Sequence, residues 1–221
     1  MLQRNEEKLQ EVRAKTTEVL DDLLSSQRLV LEALEECDRE RYAETKIPLK
    51  GINRKVEEID RLIVLIFARY APEARDLREM VAFLKITSSL QRIATNEKNY
   101  IKNMRICNPR TEEEARQVIA ESLAINKCTI RALEFTIEMV NETEDRDRLR
   151  ELASKIAVEA SKTDDIYSML EKGILQTMNK EHLLKEEYVN LLKYIRKNLK
   201  IIDRLEDISA KLIFARIGGE I

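Results

Sequence analysis

Apolar residues recur along most of the chain at the spacing of an α-helix. The clearest run spans residues 184–212, where they return at steps of three, four or seven positions. It consists of Leu184, Tyr188, Leu191, Ile195, Leu199, Ile202, Ser209 and Leu212. A similar run contains Leu77, Met80, Leu84, Leu90 and Ile93. Side chains at this spacing share one helix face, so the pattern predicts amphipathic helices that pack in a bundle.

Helix-breaking residues are few, and they divide the chain into six predicted helices. We expect these helices at about 6–36, 38–70, 73–105, 111–141, 147–178 and 179–217. Asp38, Thr111 and Asn179 are the predicted N-caps, and Glu114 completes a capping box with Thr111. Pro48 and Gly51 fall within the second segment, where a kink is expected.

The six helices form two groups of three. At an offset of 112 residues, positions 91–93 correspond to positions 203–205, which suggests an internal duplication. We therefore predict an all-α fold made of two pseudo-symmetric up-down three-helix bundles. The first repeat would cover residues 1–107 and the second residues 108–221, together forming one compact helical protein.

Composition excludes several classes of protein. The chain has 39 basic and 41 acidic residues, which argues against a uniformly basic nucleic-acid binder. With 4 glycines and no tryptophan, all-β and Rossmann-type folds are poor candidates. His182 is the only histidine, so the usual zinc sets, a Ser-His-Asp triad and a ferritin-like di-iron centre cannot be assembled. We predict that the protein is not an enzyme.

The cysteines and the hydropathy of the chain indicate the cellular compartment in which we expect the protein. Cys37, Cys107 and Cys128 are odd in number and far apart, which favours reduced thiols. The longest apolar run, residues 62–68, is much shorter than the ~20 residues of a membrane span. The first residues also lack the apolar stretch of a signal peptide. We expect a soluble cytoplasmic protein that reaches the inner face of the membrane only through partners.

Two short motifs carry a family resemblance. Residues 72–78 fit P-x-A-x-D-L-R and precede a helix with L-Q-R-I at positions 90–93. The second half has I-D-R-L-E-D at positions 202–207. The chain resembles the PhoU family, in which each repeat closes with a helix bearing L-E-R-I-G-D. The resemblance covers nearly the whole length and implies the same pair of three-helix bundles.

The resemblance also implies a function and partners. PhoU proteins restrain phosphate uptake and the phosphate-starvation response by contacting the ATPase of the phosphate ABC transporter and a membrane sensor histidine kinase. They need no direct contact with nucleic acid, and a homodimer is left open. On this basis the predicted contact residues are Pro72, Arg75, Asp76 and Arg78, with a counterpart near residues 179–188.

The family further implies metal clusters of iron or zinc at E/D-x-x-x-D motifs. Carboxylates four residues apart on a helix lie about 6 Å apart, and a cation relieves their repulsion. The first repeat has Gln91 and Thr95 at these positions, so we expect no cluster there. The second repeat retains Asp203 and Asp207, and Asp164 could add oxygen ligands. The alternative interpretation of these three residues is a solvated acidic helix face.

Two other functions remain open at this stage. The missing acids of the first repeat are compatible with a degenerate relative that serves another transporter. A structural helical scaffold is the second alternative, although the regular breaks in the helices argue against one long coiled coil.

Overall fold

The computed structural model describes residues 2–70, 74–104, 113–181 and 186–218. Seven helices occupy these ranges: α1 (Leu2–Glu35), α2 (Arg39–Glu44), α3 (Ile52–Tyr70), α4 (Ala74–Asn103), α5 (Glu113–Asn141), α6 (Arg146–Glu181) and α7 (Glu186–Ile217). None of the described residues forms a strand. The predicted all-α helical bundle is confirmed. The predicted boundary at residues 107 and 108 lies outside the described ranges, so the division into repeats stays a prediction.

The second predicted helix is two helices. Asp38 caps α2 as expected, because its carboxylate accepts the backbone N–H groups of Glu40 at 2.9 Å and Arg41 at 3.0 Å. Helix α2 ends at Glu44, and turn residues that include Pro48 lead to Gly51, whose φ of +82° lies in the left-handed region and after which α3 begins. The expected kink is therefore a complete break, and the prediction of one continuous helix is wrong.

Two other predicted boundaries can be checked. Asn179 lies inside α6, which continues to Glu181, so the predicted helix start at Asn179 is wrong. The polar turn between α5 and α6 is confirmed. There the Glu142 carboxylate accepts two backbone N–H groups, and Asp145 accepts those of Asp147 and Arg148 at the start of α6. Thr111 lies outside the described residues, so its N-cap and the capping box with Glu114 stay predictions.

One continuous apolar core joins the helices from both halves of the chain. It includes Leu20 of α1, Ile63 of α3, Ile93 of α4, Ile125 of α5 and Leu205 of α7. Helices α4 and α7 are antiparallel, because residue 79 near the start of α4 pairs with residue 216 near the end of α7. The predicted apolar runs are largely buried in this core, but Leu77 is exposed.

The cysteines differ from the expectation of three reduced thiols. Cys37 is disulfide-bonded, so the expectation is wrong at this position. Cys128 is a free thiol buried in the core, and Cys107 lies outside the described ranges. Among the described helices, none is long and apolar enough to span a bilayer.

Candidate functional site

The first turn of α4 carries most of the predicted contact residues. Arg75 is exposed, whereas Asp76 and Arg78 are half-buried. Arg75 donates a hydrogen bond from Nη2 to the backbone oxygen of Thr143 at 2.7 Å, which ties α4 to the α5–α6 turn. Pro72 lies outside the described residues. The structure therefore brings three of the four predicted residues to one end of the molecule.

An exposed leucine lies among these polar groups. Leu77 keeps 41% of its surface exposed, although the sequence pattern assigned it to the core. The corresponding position at the 112-residue offset is Val189 in the first turn of α7, which is 50% exposed. Because α4 and α7 are antiparallel, the two apolar residues lie at opposite ends of this helix pair. Part of the predicted counterpart surface, residues 182–185, is not described.

A buried ionic cluster lies one turn further along α4. Glu79 accepts two hydrogen bonds from Arg13 of α1, from Nε at 2.7 Å and from Nη2 at 3.1 Å. It also forms an ion pair with Arg216 of α7. The side chains of Glu79, Arg13 and Arg216 are only 2%, 10% and 1% exposed. Three helices are therefore joined at this end through a single carboxylate.

The electrostatics of this cluster follow from its burial. Burial acts to raise the pKa of Glu79, but the two guanidinium groups outweigh it and lower the pKa below the usual value. Burial lowers the pKa of Arg216, and the nearby charge of Arg13 acts in the same direction. Arg216 also donates from Nε to the backbone oxygen of Glu142 at 3.3 Å. The cluster thus fastens the α5–α6 turn against the ends of α4 and α7.

Sequence reasoning missed this cluster. Glu79 is adjacent to Met80 in the apolar run of α4, and an acid at the edge of such a run is the only local signal. Its partners are 66 and 137 positions away in the chain, so no local pattern connects them. Helix packing alone brings them together.

The predicted metal ligands divide between two sides of α7. Asp203 is exposed, and its pKa is raised first by burial of part of the carboxylate and then by the charge of Asp164 on α6. Burial raises the pKa of Glu206, and the charges of Asp203 and Asp164 add to the shift. These three carboxylates form an acidic patch between α6 and α7.

Asp207 lies on the other side of α7, facing α4. It accepts a hydrogen bond from the Ser89 hydroxyl at 2.7 Å and pairs with Lys211. Within the described ranges, no group of three or more His, Cys, Asp or Glu side chains is arranged to hold a metal ion. The predicted ligands do not fit a shared metal centre in this arrangement, and iron or zinc binding stays an untested prediction.

Comparisons with known proteins connect these features to a family. Residues 16–104 match the PhoU domain. A curated relative from Zymomonas mobilis subsp. mobilis, the phosphate-specific transport system accessory protein PhoU homolog, is 26% identical over 195 residues, which cover 86% of this chain and 77% of the relative.

Solved structures share the architecture over nearly the full length. The crystal structure of PhoU from Pseudomonas aeruginosa has a TM-score of 0.74 at 20% identity and covers 97% of this chain and 99% of its own. The phosphate transport system regulatory protein PhoU from Streptococcus pneumoniae has a TM-score of 0.70 at 18% identity, with 98% and 99% covered. These likenesses show the fold. Together with the domain match over residues 16–104 and the curated relative, they show that the chain is similar to PhoU proteins in its first half by sequence and along nearly its whole length in fold.

Proposed function

We propose that this chain is an accessory protein of a phosphate transport system that restrains phosphate uptake and the phosphate-starvation response. Its role would be non-enzymatic and would depend on binding to other proteins at the cytoplasmic face of the membrane. The curated relative named as a transport accessory protein supports this proposal, since its similarity extends over most of both chains.

The main support for a contact at this surface is the exposed side chain of Leu77, which lies beside Arg75. An apolar side chain flanked by a guanidinium and a half-buried carboxylate suits a protein interface, where apolar anchors and arginines supply most of the affinity. The buried Glu79 cluster holds this turn in place before binding. Because the surface is already ordered, docking would cost little conformational entropy.

The partners that this surface would engage are the ATPase subunit of the phosphate transporter and a sensor histidine kinase. Regulation requires that the protein bind one conformational state of its partner more tightly than the other. Tighter binding to the resting state would stabilise that state in phosphate-replete cells.

The test is affinity co-purification from gently solubilised, phosphate-replete cells, followed by mass spectrometry. We compare the wild type with a variant carrying Arg75→Glu and Leu77→Asp. A matched control carries Arg150→Glu and Val158→Asp, which make the same change in charge and also replace an apolar side chain at exposed positions of α6. We expect the transporter ATPase or the sensor kinase with the wild type and the control, and about tenfold less with the α4 variant.

Two results would contradict the proposal. Equal recovery of these partners with all three proteins would show that the contact does not lie at the start of α4. Recovery of subunits of an unrelated transporter would instead favour the second candidate function, an accessory protein of another transport system. Gln91 and Thr95, in place of the acids of the family motif, are the residues that favour this alternative. Thermal melts of the variants confirm that each is folded.

A further inference from the structure

A basic groove runs between α4 and α7, on the side of α7 that Asp207 faces. It consists of two adjoining open concavities with volumes of about 390 Å³ and 280 Å³. Arg92 of α4 and Arg204 of α7 line both concavities, so they lie at the centre of the groove. We call this feature the α4–α7 groove.

Five cationic side chains line the groove: Lys85, Arg92, Lys200, Arg204 and Lys211. Asp207 is the only carboxylate among the described lining residues. The chain as a whole has a net charge of −2, so its overall composition does not account for this concentration of positive charge. The fold has collected cations from two helices on one surface.

The single carboxylate is already neutralised. Asp207 pairs with Lys211, whose side chain is only 10% exposed, and accepts a hydrogen bond from Ser89. Burial acts to raise the pKa of Asp207, but these two partners outweigh it and lower the pKa. With Asp207 ionised and matched to Lys211, the positive charge of the other four lining residues is not balanced within the groove.

Those four residues are Lys85, Arg92, Lys200 and Arg204. In the described part of the chain, none of them has a hydrogen bond or an ion pair with another side chain. This differs from the surface of α3, where Arg54 and Arg61 each pair with a glutamate one turn away. The arginines of the groove therefore remain available to an external anion.

The two halves of the chain each contribute one central arginine, but they differ in the acids near it. Arg92 and Arg204 correspond to each other at the 112-residue offset, so the basic centre is repeated in both halves. Asp203 and Asp207 correspond to Gln91 and Thr95. Both of these neutral residues line the larger concavity, where acids would have cancelled the arginine charges.

We propose that the α4–α7 groove binds a phosphate-class oxyanion that carries two or more negative charges. Arg92 and Arg204 hold the anion at the centre, since guanidinium groups donate paired hydrogen bonds to phosphate oxygens. Lys85 and Lys200 extend the positive field into the two concavities. No aromatic side chain is among the described lining residues, so recognition is through phosphate groups and not through a stacked base.

The test is titration calorimetry on the purified full chain at constant ionic strength. Pyrophosphate is the primary probe, and orthophosphate, sulfate, tripolyphosphate and ATP are compared with it. We expect saturable binding of pyrophosphate that is tighter than binding of orthophosphate or sulfate and weakens as salt increases. Binding of ATP no tighter than that of tripolyphosphate would show that phosphate groups alone are recognised.

Three variants locate the site. The double change Arg92→Gln with Arg204→Gln removes the central charges, and we expect the affinity to fall about tenfold or more. The control, Arg54→Gln with Arg61→Gln, removes the same charge from side chains that are each 80% exposed, and should bind like the wild type. Thr95→Asp leaves every arginine in place but adds a carboxylate to the larger concavity, so it should also weaken binding.

Three results would overturn the proposal: no saturable binding of pyrophosphate up to about 1 mM, equal losses in the two double variants, or unchanged affinity in Thr95→Asp. Each variant is checked for folding by its thermal melt. Because the assay needs no partner protein, its outcome is independent of the co-purification. Either proposal can fail while the other stands.

Discussion

Two glutamates on α4 have the same chemistry but opposite electrostatic settings. Glu79 and Glu97 are both buried, and eighteen residues separate them, which is about five helical turns. They therefore lie on the same face of one helix. Glu79 lies between two arginines at the end of the bundle, whereas Glu97 lies in its middle among neutral polar groups.

The environment of Glu97 explains why it holds its proton. Neither carboxylate oxygen accepts a hydrogen bond from the described residues. The neighbouring Ser26 hydroxyl donates to the backbone oxygen of Thr45 at 2.8 Å, and Gln27 donates to Asn198 at 3.3 Å. Burial therefore dominates and raises the pKa of Glu97 to about 8.

Burial alone therefore does not decide the charge of a carboxyl group. Burial acts to raise the pKa at both positions, and only the guanidinium groups from α1 and α7 reverse it at Glu79. Glu79 thus holds the end of α4 that carries the proposed contact surface. Glu97 instead belongs to a neutral polar layer that includes Gln27, Asn126 and Asn198.

The largest expected effect comes from Glu79→Gln, which removes the negative charge of the buried cluster. The variant leaves Arg216 buried without its counter-charge and Arg13 with only the exposed Glu6, so we expect the free energy of unfolding to fall by about 3–5 kcal/mol at pH 7. Urea denaturation measures the change. Glu58→Gln, at an exposed salt bridge, is the control and should cost less than about 1 kcal/mol. A similar small loss in both variants would show that the cluster does not depend on its charge.

The same substitution at Glu97 should have the opposite sign. Because the folded pKa of Glu97 is about 8 and the ordinary value is 4.5, the folded state retains a proton that the unfolded state releases between these values. Stability therefore falls as the pH rises through this window. Glu97→Gln removes that loss, on the order of a few kcal/mol at pH 8 and little near pH 5.

Urea denaturation of the wild type and Glu97→Gln at both pH values checks this prediction. A variant that is less stable than the wild type at pH 8 would contradict it. The pH dependence separates titration of Glu97 from a packing effect, because a packing effect is similar at both pH values.

The smallest expected effect concerns a single hydrogen bond in the neutral polar layer. The hydroxyl of Tyr100 donates to Asn126 Oδ1 at 2.9 Å in the core. Tyr100→Phe leaves that oxygen without this donor, so we expect a loss of about 1–2 kcal/mol in the free energy of unfolding. Tyr194→Phe, at a half-buried position, is the control and should stay within about 0.5 kcal/mol. Equal values for the two variants would mean that this hydrogen bond contributes nothing measurable.

Local features of the fold could be predicted because their causes are local. Asp38 caps the residues that follow it, and the polar run after Asn141 satisfies its own backbone groups. The break over residues 45–51 is more complete than the predicted kink, because the pattern does not distinguish a kink from two separate helices. Leu77 fits the periodicity of α4, yet 41% of its surface is exposed, although Glu79 and Met80 in the same end of the helix are buried.

The candidate site could be predicted only in part. The motif around Arg75 and Arg78 located one surface of the molecule. The spacing of Asp203 and Asp207 suggested a shared ligand site, but the structure directs Asp203 toward Asp164 and Asp207 toward Ser89. Two residues one helical turn apart can face different neighbours when their helix packs against two others, as α7 does with α4 and α6. The arrangement of the surrounding helices is not encoded in their spacing.

The helical character of this protein, most of its breaks and its family resemblance can be predicted from the sequence, because periodicity, capping and short motifs act over a few residues. The tertiary structure is needed to know which buried glutamate is charged, which side of α7 is acidic and which is basic, and where unpaired arginines meet. These properties arise from side chains that are far apart in the chain. Their electrostatic interaction depends on distance and burial, which are set when the helices pack.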